Sequence, residues 1–274
     1  MPFVTSADGT RIGYETRGSG SPLLLVDGAM CSRDMGPMPA IAEALSDRFG
    51  IYLFDRRGRG ESGNTLPWSM DREIEDISAL VAEIVEKTGE PPMVFGISSG
   101  AILAARAAAA NTRIRRLALY EAPMIVDDTH APMPADFVAR VRSEVERGRA
   151  GAAAKLFMAY VGMPGIAVFI MSLLPFWKKV TVNAHTLPYD LSLVEPLQKG
   201  KRLDHGAWAG VTMETLVLDG GKSPAYMRNA QRHWANTLPN ARYDTLPGQT
   251  HNVKTEAIAP VLATFFSERL GQAR

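Results

Sequence analysis

The residues best placed to do chemistry lie in "VFGISSGAILAA", where Ser98 and Ser99 stand between Gly96 and Gly100 as a β-branched run gives way to an Ala-rich one. Gly96-Ile97-Ser98-Ser99-Gly100 matches the G-x-S-x-G nucleophile elbow. In that elbow a serine takes a strained backbone conformation at a strand-to-helix bend, and small neighbours let the two elements pack close. The bend exposes the Ser98 Oγ, and the following helix aims its first N–H groups and positive dipole end at the same point. A serine hydroxyl at its ordinary pKa is a poor nucleophile, so the pattern demands a general base. Of the five histidines, His251 in "LPGQTHNV" follows the last apolar run and precedes the last helical pattern, where a loop reaches back across strand ends. His130, His185, His205 and His233 read as surface or packing residues, with His185 in "NAHTLPYD" watched as a substrate contact. Cys31, without an elbow of its own, reads as a packing residue.

Positioning Ser98 and His251 requires a sheet. The opening "FVTS", the turn at Asp8 and Gly9, and "RIGYETRG" read as a hairpin. Six short apolar runs follow: "PLLLVDG", "IYLFDRRG", "MVFGISSG", "LALYEAP", "TLVLDGG" and "RYDTLPG". Between them lie helical patterns near 38 to 48, 70 to 87, 99 to 111, 225 to 237 and 256 to 270. Strands apolar on both faces and separated by helices predict an α/β fold, with a mostly parallel central sheet of about eight strands flanked by helices. Ligands of such sheets bind beyond the carboxyl ends of the strands, and Ser98 falls at one of those ends. The interval from "LALYEAP" to "TLVLDGG" is about ninety residues, far longer than a loop. Phe137, Val141 and Val145 recur in it at helical spacing, and "AAAKLFMAYVGMP" reads as a second helix. The expected division is therefore a core of 1–124 and 209–274 with an inserted helical cap, or lid, over 125–208.

At this point the chain resembles the α/β-hydrolase fold superfamily. "DRRGRGESG" looks like the glycine-rich loop after the fourth strand of that family, and "GISSG" and "GQTHNV" match its nucleophile and histidine regions in order. The resemblance covers about 1–124 and 211–270 and implies a catalytic triad, whose acid in most members follows the seventh strand. Here Ser223 occupies that position, and a serine cannot carry the charge that stabilises an imidazolium. A minority of the superfamily places the acid after the sixth strand, which implies Glu121 in "LALYEAP", with Asp219 as the second candidate. The resemblance also implies an oxyanion hole built from the Ser99 N–H and a donor in "VDGAM", at Gly28 or Ala29. Many members carry His-Gly at that turn. Asp27-Gly28 here puts a carboxylate near the site, as a partner of nearby backbone or a residue behind the reacting groups, with no chemical step assigned to it. The combination of the Asp-Gly turn, "GISSG", a glutamate before the cap and a late histidine is similar to zearalenone lactone hydrolases and related carboxylesterases.

The cap is rich in Met and aromatic residues, which adapt to irregular apolar ligands. Substrate contacts are expected from Asp27, Met30, Met158, Met163, Trp177 and His185. The implied function is a serine hydrolase acting on an apolar ester or lactone, with no metal or organic cofactor. The alternatives are another cofactor-free reaction on the same fold (perhydrolysis, carbon–carbon bond hydrolysis or natural-product cyclisation) and a non-catalytic ligand-binding protein.

Composition bounds the partners. Apolar residues are 46%, charged residues 22% and the formal net charge is +1, which predicts an ordinary globular protein with no footprint for nucleic acid. "WKK" and "KGKR" are short runs, so no grip on an anionic membrane is expected. The most apolar window, Leu156 to Trp177, is interrupted by Gly162, Pro164, Gly165 and Pro175 and reads as a core segment or lid rather than a span. A single cysteine and a start without a charged leader point to a cytoplasmic protein. The sequence does not choose between a monomer and a homodimer.

Overall fold

The computed structural model describes residues 2–111 and 113–268. One sheet holds β1 (Phe3–Thr5), β2 (Arg11–Arg17), β3 (Pro22–Val26), β4 (Gly50–Phe54), β5 (Met93–Ile97), β6 (Arg116–Tyr120), β7 (Glu214–Gly220) and β8 (Ala241–Leu246). Their spatial order is β1-β2-β4-β3-β5-β6-β7-β8. The first two strands pair antiparallel, Phe3 opposite Gly13, and β2 joins β4 antiparallel. Pairings from β4 through β8 are all parallel. Every residue of β3, β5 and β6 is buried, as a central strand covered on both faces requires.

The helices are α1 (Met38–Leu45), α2 (Met70–Thr88), α3 (Ser99–Ala110), α4 (Phe137–Glu146), α5 (Ala150–Tyr160), α6 (Gly165–Ser172), α7 (Trp177–Thr181), α8 (Leu187–Val194), α9 (Ala225–Thr237) and α10 (Thr255–Ser267). Leu45 and Ile41 of α1 and Leu262 and Phe266 of α10 share one apolar layer with one face of the sheet. Ile77, Leu80 and Val81 of α2, Leu103 of α3 and Trp234 of α9 fill the other. α2 shows how locally these helices are encoded. The Ser69 hydroxyl accepts the Arg72 N–H at 3.3 Å, Ile77, Leu80, Val81 and Ile84 recur at helical spacing, and Gly89 ends it. The last helical pattern was expected to reach 270, and its final two positions lie outside the described residues.

Two features place the site. The chain runs from β3 to β4 on one side and then crosses back to β5 on the other, so the carboxyl ends of β3 and β5 flank a topological switch point. The interval between β6 and β7 holds α4 to α8, and α8 reaches the same strand ends through Asp190.

Candidate active site

Ser98 follows β5 with φ 57° and ψ −130°, a conformation that a non-glycine residue adopts only when its surroundings enforce it. Close packing on both sides does so here. A Cβ on Gly96 would lie 2.6 Å from the Gly100 carbonyl oxygen, and a Cβ on Gly100 would lie 2.4 Å from the carbonyl oxygens of Val26 and Asp27. The glycines thus let α3 start directly against β5 and β3, and the Ser98 N–H is held by the Tyr120 carbonyl at 2.9 Å. This strained turn presents the Ser98 Oγ to a cavity of about 420 Å³.

His251 comes from the loop between β8 and α10. Its Nε2 lies 3.2 Å from the Ser98 Oγ and its Nδ1 lies 2.9 Å from the Glu121 Oε2. The Tyr120 hydroxyl donates to the Thr250 carbonyl at 2.6 Å, so the residue before Glu121 also anchors the residue before His251. Glu121 follows β6 at φ 44°, is 0% exposed, and accepts the Gly220 N–H on its other oxygen at 2.7 Å. Three side chains spread over 153 positions therefore form one hydrogen-bonded chain. Asp219, the second candidate acid, is not part of it. Its carboxylate accepts the Tyr243 hydroxyl at 2.5 Å and faces Arg228 at 3.6 Å. The side chain points toward β8 and α9 rather than toward the histidine loop.

The turn after β3 lies beside this chain. The Gly28 N–H is taken by the Asp27 Oδ1 at 2.8 Å, while the Gly28 carbonyl accepts from Arg59 Nη1 at 2.6 Å. In a trans peptide the C=O and N–H point in opposite directions. Arg59 therefore fixes the Ala29 N–H facing away from itself, and among the described residues that N–H has no acceptor. Ser99 is the first residue of α3, so its N–H lacks an intrahelical partner. Asp27 is buried, and among the described residues its second oxygen, Oδ2, has no hydrogen-bond partner. Burial pushes its carboxyl up to about 7, against the opposing pull of the Gly28 N–H, the Cys31 thiol, Arg59 and Arg56. Burial also pushes the Cys31 thiol up, and Cys31, read from the sequence as a packing residue, lines the cavity.

A network that the sequence reading missed surrounds this turn. Arg56, Arg57 and Arg59 of "DRRGRGESG" are all buried. Arg57 is matched by Asp76 and Asp8 at 2.7 and 3.0 Å. Arg56 meets Glu73 at 2.5 Å and Asp190 at 2.6 Å, and Arg59 meets the other Asp190 oxygen at 2.6 Å. Asp190 also accepts the Ser99 hydroxyl at 2.7 Å. Burial opposes its ionisation, but Arg56 and Arg59 outweigh burial and hold its carboxyl below the usual range. One carboxylate on α8 thus ties the inserted helices to the turn after β3 and to the start of α3. The only signal in the sequence was three arginines packed into a loop, which need buried carboxylates somewhere.

The cavity walls depart from expectation. Asp27 lines it, but Met30, Met158, Met163, Trp177 and His185 do not. Met158 turns into the core beside Ala154, and Met163 and Trp177 pack against the same cluster. Met30 is buried at a turn whose carbonyl accepts Asn183 Nδ2 at 3.2 Å. His185 is half-buried, with its Nδ1 3.2 Å from the Val182 carbonyl, and its neighbours Ala184 and Thr186 take the buried positions of that turn. The apolar wall comes instead from Ile125, Met133, Phe157, Tyr160, Leu191 and Val194. His130, expected at the surface or in packing, lines the cavity with its ring 4.2 Å from that of Tyr226.

Comparison with known proteins agrees with this fold. Residues 23–259 match the family model of the "Alpha/beta hydrolase family". The solved structure of an alpha/beta hydrolase from Sphaerobacter thermophilus DSM 20745 is 42% identical, with a TM-score of 0.86 over 97% of this chain and all of that one. A thermophilic esterase from Thermogutta terrifontis shares the fold at 22% identity, with a TM-score of 0.68 over 97% of each chain. The uncharacterized hydrolase YraK of Bacillus subtilis (strain 168) is 34% identical over 98 residues, which is 35% of this chain and 34% of YraK. The chain thus spans about a third of the length of the curated relatives it matches. With the eight-stranded sheet, the elbow at Ser98 and a family match over most of its length, the chain belongs to the alpha/beta hydrolase family.

Proposed function

We propose that the protein is a serine hydrolase that cleaves an apolar carboxylic ester or lactone through an acyl-enzyme. One observation carries the reading: the chain Ser98 Oγ, His251 Nε2, His251 Nδ1, Glu121 Oε2, at 3.2 and 2.9 Å, opening from a strained serine onto an apolar-walled cavity. His251 takes the Ser98 proton on Nε2 as Oγ bonds to the substrate carbonyl carbon. The carbonyl oxygen becomes an anion held by the N–H groups of Ser99 and Ala29. Gly28 drops out of the pair, because Asp27 already occupies its N–H. As the tetrahedral adduct collapses, His251 returns the proton to the departing alcohol oxygen. Water then repeats the sequence on the acyl-enzyme, releasing the acid and restoring Ser98.

Glu121 keeps the Nδ1 proton in place and stabilises the imidazolium. Its fixed geometry, with the Gly220 N–H on the other oxygen, lowers the reorganisation needed at each transfer. The apolar wall favours a hydrophobic acyl or alcohol group, in keeping with the resemblance to lactone hydrolases and carboxylesterases and with an esterase among the structural relatives. The test is hydrolysis of p-nitrophenyl esters of graded chain length, simple lactones and macrocyclic lactones, each against a Ser98→Ala blank. Turnover of at least one class that disappears in Ser98→Ala is expected. Turnover equal in both proteins, or none across the panel, would count against the reading.

A further inference from the structure

Apolar side chains on the inserted helices are turned outward in one place. On α6, Val168 is 4% exposed and faces the core, whereas Ile166 and Leu173 are 68% and 70% exposed, with Phe169 and Ile170 between them also in solvent. Positions 166, 169, 170 and 173 form the i, i+3, i+4, i+7 stripe that a surface helix ordinarily buries. Phe176 and Val161 extend it, and Val161 also lines the mouth of the active-site cavity. Contiguous exposed apolar surface of this kind marks an interaction site.

Charge identifies the occupant. Between Glu146 and Asp190 the chain has no acidic residue but carries Arg147, Arg149, Lys155, Lys178 and Lys179. Both arginines pair with Glu144. The three lysines are exposed; Lys155 lies over the Trp177 ring at 5.8 Å, and Lys178 and Lys179 make no ion pair among the described residues. An isologous contact with a second copy would set the patch against itself and bring like-charged lysines together without counter-ions. A lipid surface bearing anionic headgroups satisfies both halves, taking the apolar stripe into its interface and the ammonium groups against its phosphates. The helices are built to lie on such a surface, not to cross it. α6 has 8 residues, and among the described residues no single helix is long and apolar enough to span a membrane. The apolar run from Gly165–Ser172 into Trp177–Leu197 is bent by 111°.

We infer that the α6–α7 face docks onto anionic lipid surfaces, with Ile166, Phe169, Ile170 and Leu173 inserted and Lys178 and Lys179 against the headgroups. "WKK" is short, but its two exposed lysines follow the apolar stripe by only five and six positions from Leu173.

The test is vesicle flotation with the full chain. The vesicles are phosphatidylcholine alone or phosphatidylcholine with phosphatidylglycerol, and the proteins are wild type, Phe169→Ser/Leu173→Ser and Lys178→Glu/Lys179→Glu. All four positions are exposed and lie outside the catalytic cavity, so turnover of a short soluble ester should be unchanged and reports on folding. Wild type is expected to float with the anionic vesicles and to be released by salt. Each double variant should bind at least about tenfold less. No flotation of wild type, equal flotation on neutral vesicles, or full binding by either variant would overturn the inference. So would a wild-type dimer in sedimentation that Phe169→Ser/Leu173→Ser dissolves while vesicle binding is absent, which would assign the face to a second copy.

Discussion

Replacing Asp190 with alanine gives the sharpest test of how the inserted helices are held to the catalytic end of the sheet. Its carboxylate contacts Arg56 and Arg59 at 2.6 Å and the Ser99 hydroxyl at 2.7 Å. After its removal Arg56 keeps Glu73. Among the described residues Arg59, its side chain 0% exposed, keeps only the carbonyls of Gly28 and Cys31 and the Thr186 hydroxyl. A fully buried cation is left without a counter-ion, and removing one partner of a buried pair costs about 3–5 kcal/mol. At roughly 2–4 °C per kcal/mol for a chain near this size, the melting temperature should fall by roughly 6–20 °C. Asp136→Ala is the internal control. Its pair with Arg140 is long, at 3.7 Å, and exposed, and such pairs contribute at most about 1 kcal/mol.

The assay is urea unfolding at neutral pH, with thermal melts in parallel. The pH dependence has a defined sign. Because the folded carboxyl sits below its ordinary value, its contribution is full above the unfolded value of about 3.9 and is lost only as pH falls through the lower folded value. The gap between wild type and Asp190→Asn should therefore persist through mildly acidic pH and close only in strong acid. Hydrolysis by Asp190→Ala should also fall at temperatures well below its melt, because Arg59 orients the Gly28 peptide. A loss no larger than that of Asp136→Ala would refute the reasoning.

Three further outcomes follow from the same geometry. Glu121→Gln should lower kcat by up to about 10⁴-fold, as loss of the charge in a triad does, and Asp219→Asn should cost far less; the reverse ranking in steady-state kinetics would move the acid to Asp219. Gly100→Ala should destabilise the fold by about 1–3 kcal/mol or more, since its Cβ would meet two backbone carbonyl oxygens at 2.4 Å; a melt unchanged from wild type would contradict the packing described. Asp27, with its folded pKa raised by burial from 3.8 to about 7, binds more protons folded than unfolded across that window, so its contribution to stability falls as pH rises through it. Asp27→Asn lacks this slope and should gain on wild type between about pH 4 and about pH 7 in urea unfolding; a constant difference would count against the raised value.

Much of the site was legible because the elbow is a local device. Ser98, its flanking glycines and the apolar strand before it lie within a few residues, and the same packing that demands glycine at 96 and 100 fixes the serine. His251 could be placed by chain order alone. Glu121 needed a comparison of which strand supplies the acid, with Asp219 as the second candidate, because the sequence does not show that Asp219 takes the Tyr243 hydroxyl. Asp190 was illegible, because its meaning comes from partners 91 to 134 positions away that only the fold assembles. The cavity wall failed for a different reason. α5 is apolar around much of its circumference, so periodicity does not say that Phe157 and Tyr160 turn to the cavity while Met158 turns to the core. The outward stripe on α6 was hidden by the same ambiguity, since an apolar helix reads as buried until its neighbours are known.

The central claim is that Ser98 is an activated nucleophile. Its most direct test is labelling by a fluorophosphonate, with the site located by mass spectrometry of the digested protein. The account predicts one adduct, on Ser98, that is absent in Ser98→Ala and slowed by orders of magnitude in His251→Ala. Folded wild type that takes up no label, or label found on another residue, would contradict it.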